Sequence, residues 1–130
     1  MLNRDWTTGS ISPDGSQVVC AAGFDGRMYT VDTGGGGPRL LLASARMLYD
    51  PTFSPDGTQI AYFDGWGDNS RSLRVMNADG SGVRVLFEQA PAEVGHVYNL
   101  IWSPDGSRLA FPLRKVGSGS SASTARDSQR

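Results

Sequence analysis

The chain has 130 residues, 38% of them hydrophobic, with 12 Lys+Arg against 13 Asp+Glu and a formal charge of −1. That is apolar content for one modest core, and the absence of a basic block to track a phosphate backbone excludes nucleic acid as a partner. The 17 Gly and 7 Pro exclude long helices, the single Cys20 excludes an internal disulfide, and the longest aliphatic run, Leu40 to Leu42, is far too short to cross a bilayer.

Residues 1–6 lack the apolar centre of a secretory signal, so neither an export address nor membrane insertion is expected from them. Residues 5–11 read as a weak first strand, with Gly9 where later copies carry Pro51 and Leu100. It leads into Ile11-Ser-Pro-Asp-Gly-Ser-Gln-Val-Val-Cys20, a hairpin with its turn chemistry written out. Pro13 presets the backbone for the first central position of a type I turn, Ser12 and Asp14 can bond local backbone, and Gly15 supplies the left-handed residue. The same cassette returns at Ser54 and Ser103, 42 and then 49 residues on, bracketing the period of about 40–45 residues of four-stranded propeller blades.

Between the cassettes lies a second hairpin. Residues 28–42 align without a gap on 73–87, and their turns, the glycine run 34–37 and Asn77-Ala-Asp-Gly80, both suit positive φ angles. Each unit therefore holds four strands, A to D, and all length variation falls in the B–C and D–A connections, at 63–71 and 88–97. In an antiparallel meander those two connections share one end, which makes it the expected recognition surface. Trp66, flanked by glycines, leads the candidate contact residues, with Asp68, Asn69 and Arg71 beside it and Glu93 and His96 on the other loop. The competing reading folds Trp66 back over the blade edge.

Three and five positions past each turn glycine stand Val18 and Cys20, Ile60 and Tyr62, Leu109 and Phe111, separated by the small or slim Val19, Ala61 and Ala110. Strands apolar on both sides are expected to be buried on both faces, with Cys20 an inert core thiol and Trp102 in the core. From residue 117 the Gly/Ser-rich sequence loses all periodicity and reads as a disordered tail, 117–130. The expected fold is all-β: residues 1–116 as a partial propeller of about two and a half four-stranded antiparallel blades, at about 6–43, 50–88 and 97–115. Such an open arc is either a fragment of a larger propeller or a chain that self-associates through its open blade faces.

These residues resemble the TolB-type, WD-like β-propeller repeat: a strand, Ser-Pro-Asp-Gly, a strand ending in a small residue and an aromatic, then a hairpin such as Val75-Met-Asn-Ala-Asp-Gly-Ser-Gly82. The resemblance covers roughly residues 6 to 112. Gly95-His96 also matches the Gly-His of true WD repeats, but neither C strand ends in Trp-Asp. The resemblance implies a non-enzymatic protein-interaction scaffold in the bacterial periplasm or cell envelope. The alternatives are the accessory propeller of a prolyl-oligopeptidase-type serine peptidase whose catalytic part lies elsewhere, a WD-repeat fragment, or a truncated product. No serine has the glycine spacing of a nucleophile elbow, a lone His96 leaves little for a triad, and Asp64-Gly-Trp-Gly-Asp-Asn69 departs from calcium-loop spacing. No catalytic, cofactor or metal residue is therefore expected.

Overall fold

The computed structural model describes residues 7–22, 26–65, 71–89, 100–115 and 119–126, with 7, 71, 89, 112–115 and 119–126 as backbone only. The described residues form strands and no helix, hence none that is long and apolar enough to cross a membrane. In blade 1, β1 (Thr7–Ile11), β2 (Gln17–Ala22), β3 (Arg27–Asp32) and β4 (Arg39–Ala43) pair antiparallel in chain order. Blade 2 repeats this with β5 (Leu48–Phe53), β6 (Gln59–Asp64), β7 (Arg71–Asn77) and β8 (Arg84–Gln89). Blade 3 holds β9 (Ile101–Trp102), β10 (Arg108–Lys115) and β11 (Gly119–Arg126). The architecture is an unclosed partial β-propeller.

The Ser-Pro-Asp-Gly turns fold as their chemistry dictates. In the first, Gly15 at φ 77° donates its N–H to the Ser12 carbonyl at 2.9 Å. Asp14 Oδ1 accepts from Ser12 Oγ at 2.8 Å, Ser16 Oγ at 2.8 Å and Ser16 N at 3.0 Å, while Ser12 Oγ accepts from Gln17 N at 3.0 Å. Asp56 and Asp105 repeat the arrangement with Ser54 and Thr58, and with Ser103 and Ser107. The second hairpins also match: β3 against β4 and β7 against β8 each carry a bulge, after Met28 and after Leu73, the positions that the gapless alignment superimposes.

Two apolar layers join the blades. Between blades 1 and 2, Val19, Ala21 and Met28 meet Phe53, Ile60, Tyr62 and Met76. Between blades 2 and 3, Tyr49, Ala61, Phe63, Leu73 and Val75 meet Trp102, Leu109 and Phe111, with Phe63 stacked on Tyr49 at 5.4 Å and edge-on to Phe111 at 5.9 Å. In β6, Ile60 and Tyr62 thus face the preceding blade, and Ala61 and Phe63 the next. Hydrogen bonds repeat the contact along the inner strands: Phe53 N donates to Ser10 Oγ at 3.2 Å and Trp102 Nε1 to the Thr52 carbonyl at 3.0 Å.

Three expectations need correction. Of the three strands that follow a Ser-Pro-Asp-Gly turn, only β6 is buried on both faces. In β2, Val19 and Ala21 are buried but Val18 and Cys20 are only partly so, and in β10 Ala110 is partly open, because blades 1 and 3 each have one neighbour among the described residues. Cys20 is therefore a half-buried thiol, raised above its ordinary pKa by that burial. Gly119–Arg126, expected as tail, is a strand paired along the full length of β10, which would otherwise be an open edge. Blade 3 thus has three strands where one hairpin was expected, and blade 2 begins at Leu48 rather than near residue 50.

Candidate functional site

Strand direction brings the variable connections to one end. Asp64, closing β6, pairs with Leu48 and with Ser72, and Ser72 pairs with Glu88. The roots of both lengthened loops therefore lie side by side. Loop 63–71 is shorter than the sequence suggested, since Phe63 and Asp64 belong to β6; Glu88 and Gln89 likewise belong to β8. Of the candidate contact residues, Arg71 opens β7, its backbone paired with Gln89. Trp66, Asp68, Asn69, Glu93 and His96 lie outside the described residues.

What the structure adds is the support beneath that end. Asp64 is 3% exposed, and its carboxylate gathers groups from blade 2 and from the connection that enters it. Ser44 Oγ donates to Oδ2 at 3.2 Å, Arg46 Nε stands 3.4 Å from Oδ1, and Arg74 Nη1 stands 3.8 Å from Oδ2. Among the described residues Oδ1 has no hydrogen bond, and the Arg46 guanidinium is the cation beside it. Arg74 is itself held by donating from Nε to Ser72 Oγ at 2.8 Å, and Arg46 N donates to Ser44 Oγ at 3.0 Å. Two guanidiniums share this one buried carboxylate, and their side chains are 36% (Arg46) and 29% (Arg74) exposed. Deeper in the same layer, burial pushes the Tyr62 phenol up to about 12; Arg74 pulls it back and Asp64 adds to the rise.

The same connection is pinned to blade 1. Ser44 N donates to the Gly26 carbonyl at 2.7 Å, and Gly26, at φ 68°, passes so close to the backbone of Ser44 and Arg46 that a Cβ would collide with both, 2.7 Å from the Arg46 carbonyl. Gly65 N closes the blade 2 side on the Met47 carbonyl at 2.8 Å. This rim can therefore hold loops in place and present cationic side chains. Among the described residues no group of three His, Cys, Asp or Glu stands close enough to hold a metal ion.

Sequence reasoning missed Ser44, Arg46, Ser72 and Arg74 and weighed Asp64 only as part of a stretch that departs from calcium-loop spacing. One signal was present: aligned on the turns and strands, Asp64 and Arg74 stand where blade 1 has Ala22 and Tyr29, so two charges replace apolar positions in a strand pair.

Comparison with known proteins places this geometry. A putative TolB from Agrobacterium tumefaciens superposes with a TM-score of 0.70 at 18% identity, over 95% of this chain and 46% of that one. TolB from Acinetobacter baumannii gives 0.68 at 18% identity, over 97% and 33%. An oligogalacturonate lyase solved in complex with manganese gives 0.66 at 18% identity, over 88% and 32%. The chain thus spans a third to a half of the length of these structures, and at that identity the likeness is one of fold. No curated protein matches the sequence. A family model does, over residues 2–119, and it is described as the lipoprotein LpqB β-propeller domain; by that match, which spans nearly all of the repeats, the chain belongs to the LpqB β-propeller family.

Proposed function

We propose that this chain is a non-enzymatic protein-interaction scaffold of the bacterial cell envelope, whose contact surface is the rim carrying the variable connections at 63–71 and 88–97. The observation that carries the reading is the Asp64 network: a buried carboxylate with Ser44, Arg46 and Arg74 fixes the roots of the variable loops on a propeller edge whose opposite end is uniform. Irregular loops on a rigid base are where recognition concentrates, and a buried charged cluster there serves positioning more than stability. The family description, a lipoprotein, and the TolB neighbours support an envelope location and a protein partner. The fold likeness to a lyase carries no activity to this chain.

Within the loops, Trp66 is the proposed anchor, flanked by Asp68, Asn69 and Arg71, with Glu93 and His96 across the rim. The test is capture of partners from bacterial envelope extract with the chain as bait, followed by titration of the purified partner. Trp66→Ala is expected to weaken binding at least tenfold, as interface aromatics do, while Asp14→Asn, at the opposite end, leaves it unchanged. Equal binding by Trp66→Ala removes Trp66 from the surface. A partner lost on substitution of Asp14 but insensitive to Trp66, Arg71 and His96 would move recognition to the other end and overturn the proposal.

A further inference from the structure

The end of the arc opposite the variable connections carries a groove between the first two Ser-Pro-Asp-Gly turns. It is about 170 Å³ in volume, with Ser12, Pro13, Asp14 and Gln17 of blade 1 on one side and Phe53 and Asp56 of blade 2 on the other. Phe53 and Ser12, each 7% exposed, form its deeper part. Pro13, Asp14 and Asp56 are exposed, so the groove opens to solvent. Gly57 closes it on the blade 2 side, where a Cβ would stand 3.4 Å from the Pro13 ring. Both walls belong to described blades.

Its two charged side chains carry the same sign. Asp14 Oδ1 accepts from Ser12 and Ser16, and Asp56 Oδ1 from Ser54 and Thr58, whereas among the described residues no hydrogen bond reaches Oδ2 of either. These bonds hold both carboxyls below the usual carboxylate range, Asp14 first through the Ser16 N–H and Asp56 first through the Thr58 hydroxyl, so both are ionised at neutral pH. No Arg or Lys lines the groove, and among the described residues neither carboxylate has an ion pair. Two anchored anions thus share one opening without a counter-charge from the described residues.

What such a groove fits is a cation with an apolar stem. Its volume is well under the roughly 300–1,000 Å³ of sites for drug-sized ligands, which leaves room for a single side chain. The rings of Pro13 and Phe53 offer apolar surface to the methylenes of a long basic side chain, and the planar fork of a guanidinium matches carboxylate oxygens better than a compact ammonium does. A bare metal ion fits poorly, because among the described residues no third His, Cys, Asp or Glu joins the two aspartates. We infer that the groove takes an arginine side chain of a peptide partner, its stem against Pro13 and Phe53 and its guanidinium held by Asp14 and Asp56. The next interface differs at its base: there the larger Trp102 stands in the position of Phe53, directly before the turn, with Nε1 donating to the Thr52 carbonyl. The inference does not rest on the loop rim.

The test titrates acetyl-Gly-Gly-Arg-Gly-Gly-amide into the isotope-labelled 130-residue chain and follows its amide signals by NMR. Saturable shifts are expected at Ser16, Gln17 and Gly57, in the millimolar range of a single exposed charged contact, and not at Gly106 and Ser107 of the third turn. The same peptide with citrulline in place of arginine, alike in shape but uncharged, is expected to shift none of them. Asp14→Asn and Asp56→Asn each keep a turn-forming side chain and are expected to weaken binding about fivefold, while Asp105→Asn leaves it unchanged. Phe53→Trp keeps both carboxylates and installs the ring that the next interface already carries; by filling the groove it is expected to weaken binding about tenfold. Unchanged binding by Phe53→Trp overturns the inference, and so does equal weakening by Asp105→Asn, the signature of diffuse attraction to acidic turns. The absence of any saturable shift, equal binding of the citrulline peptide, or tighter binding of calcium chloride at the same amides overturns it as well.

Discussion

Asp50 has the left-handed backbone, φ 61°, that is otherwise confined to glycines among the described residues, and it does so inside a strand and next to Pro51. The bend sets its two polar groups in opposite directions. Its N–H donates to Thr8 Oγ in blade 1 at 2.8 Å, and its Oδ2 accepts from Leu100 N in blade 3 at 3.1 Å, so one residue ties three blades together. Asn tolerates this conformation and keeps an acceptor, whereas Ala keeps the strain and leaves the Leu100 N–H without its carboxylate. Asp50→Ala is expected to cost about 2–3 kcal/mol and Asp50→Asn less than about 1 kcal/mol, read as shifts in urea midpoint at unchanged slope. The turn aspartates make a second, pH-dependent case. Asp105 is held down to about 2 by the Ser103 hydroxyl, then by the N–H and hydroxyl of Ser107; Asp14, Asp56 and Asp79 are lowered by similar bonds. A carboxylate bound more loosely to its proton in the folded chain than in the unfolded one supports the fold fully above its ordinary value near 4. It withdraws that support as the pH falls through its folded value. The urea midpoint is therefore expected to drop between about pH 4 and pH 2, and Asp105→Asn to flatten part of that slope; an unchanged slope in the variant would mean that the turn bonds are absent in solution.

Among the strands that follow a Ser-Pro-Asp-Gly turn, β6 is the one squeezed from both sides, and Ala61, fully buried and paired with Val75 in the layer shared with blade 3, has no room to grow. Ala61→Leu is expected to cost about 1–3 kcal/mol by overpacking, while the same change at the partly open Ala110 costs less; equal costs would show that blade 3 does not press on blade 2. At the end of the same strand, Asp64→Ala removes the only carboxylate placed between Arg46 and Arg74 in the described network. The expected loss is about 1–3 kcal/mol, less than for a fully buried pair because both guanidiniums keep about a third of their surface in water. These elements also show what the sequence could and could not reveal. The Ser-Pro-Asp-Gly turns and the matching second hairpins were readable because each is decided by neighbours a few residues apart. The Asp64 network was not, because it joins Ser44, Arg46, Asp64 and Arg74 across a blade connection that no local pattern registers. Alternation told which way Val18 and Cys20 point but not whether a blade stands opposite. Gly119–Arg126 was unreadable for a different reason: glycine, serine, threonine and alanine carry little apolar signal, and its strand form comes from the edge it covers.

Taken as an arc, the molecule has its longest ladder where the sequence looked emptiest. All eight residues of β10 pair with β11, and among the described residues two pair with β9. Shortening the chain at residue 116 removes β11 and turns β10 into a long edge whose N–H and C=O groups face solvent, an arrangement prone to pairing with other chains. Loss of the outer strand also loosens β10 itself, and with it Leu109 and Phe111, the two residues through which blade 3 packs on Phe63 and Tyr49. The shortened chain is therefore expected to unfold at a lower temperature than the full one and to scatter as a broad, concentration-dependent series of masses. Coincident melting curves and equal masses for the two lengths would show instead that the inner contacts of β9 and β10 suffice, and that residues 117–130 add nothing to the blade they flank.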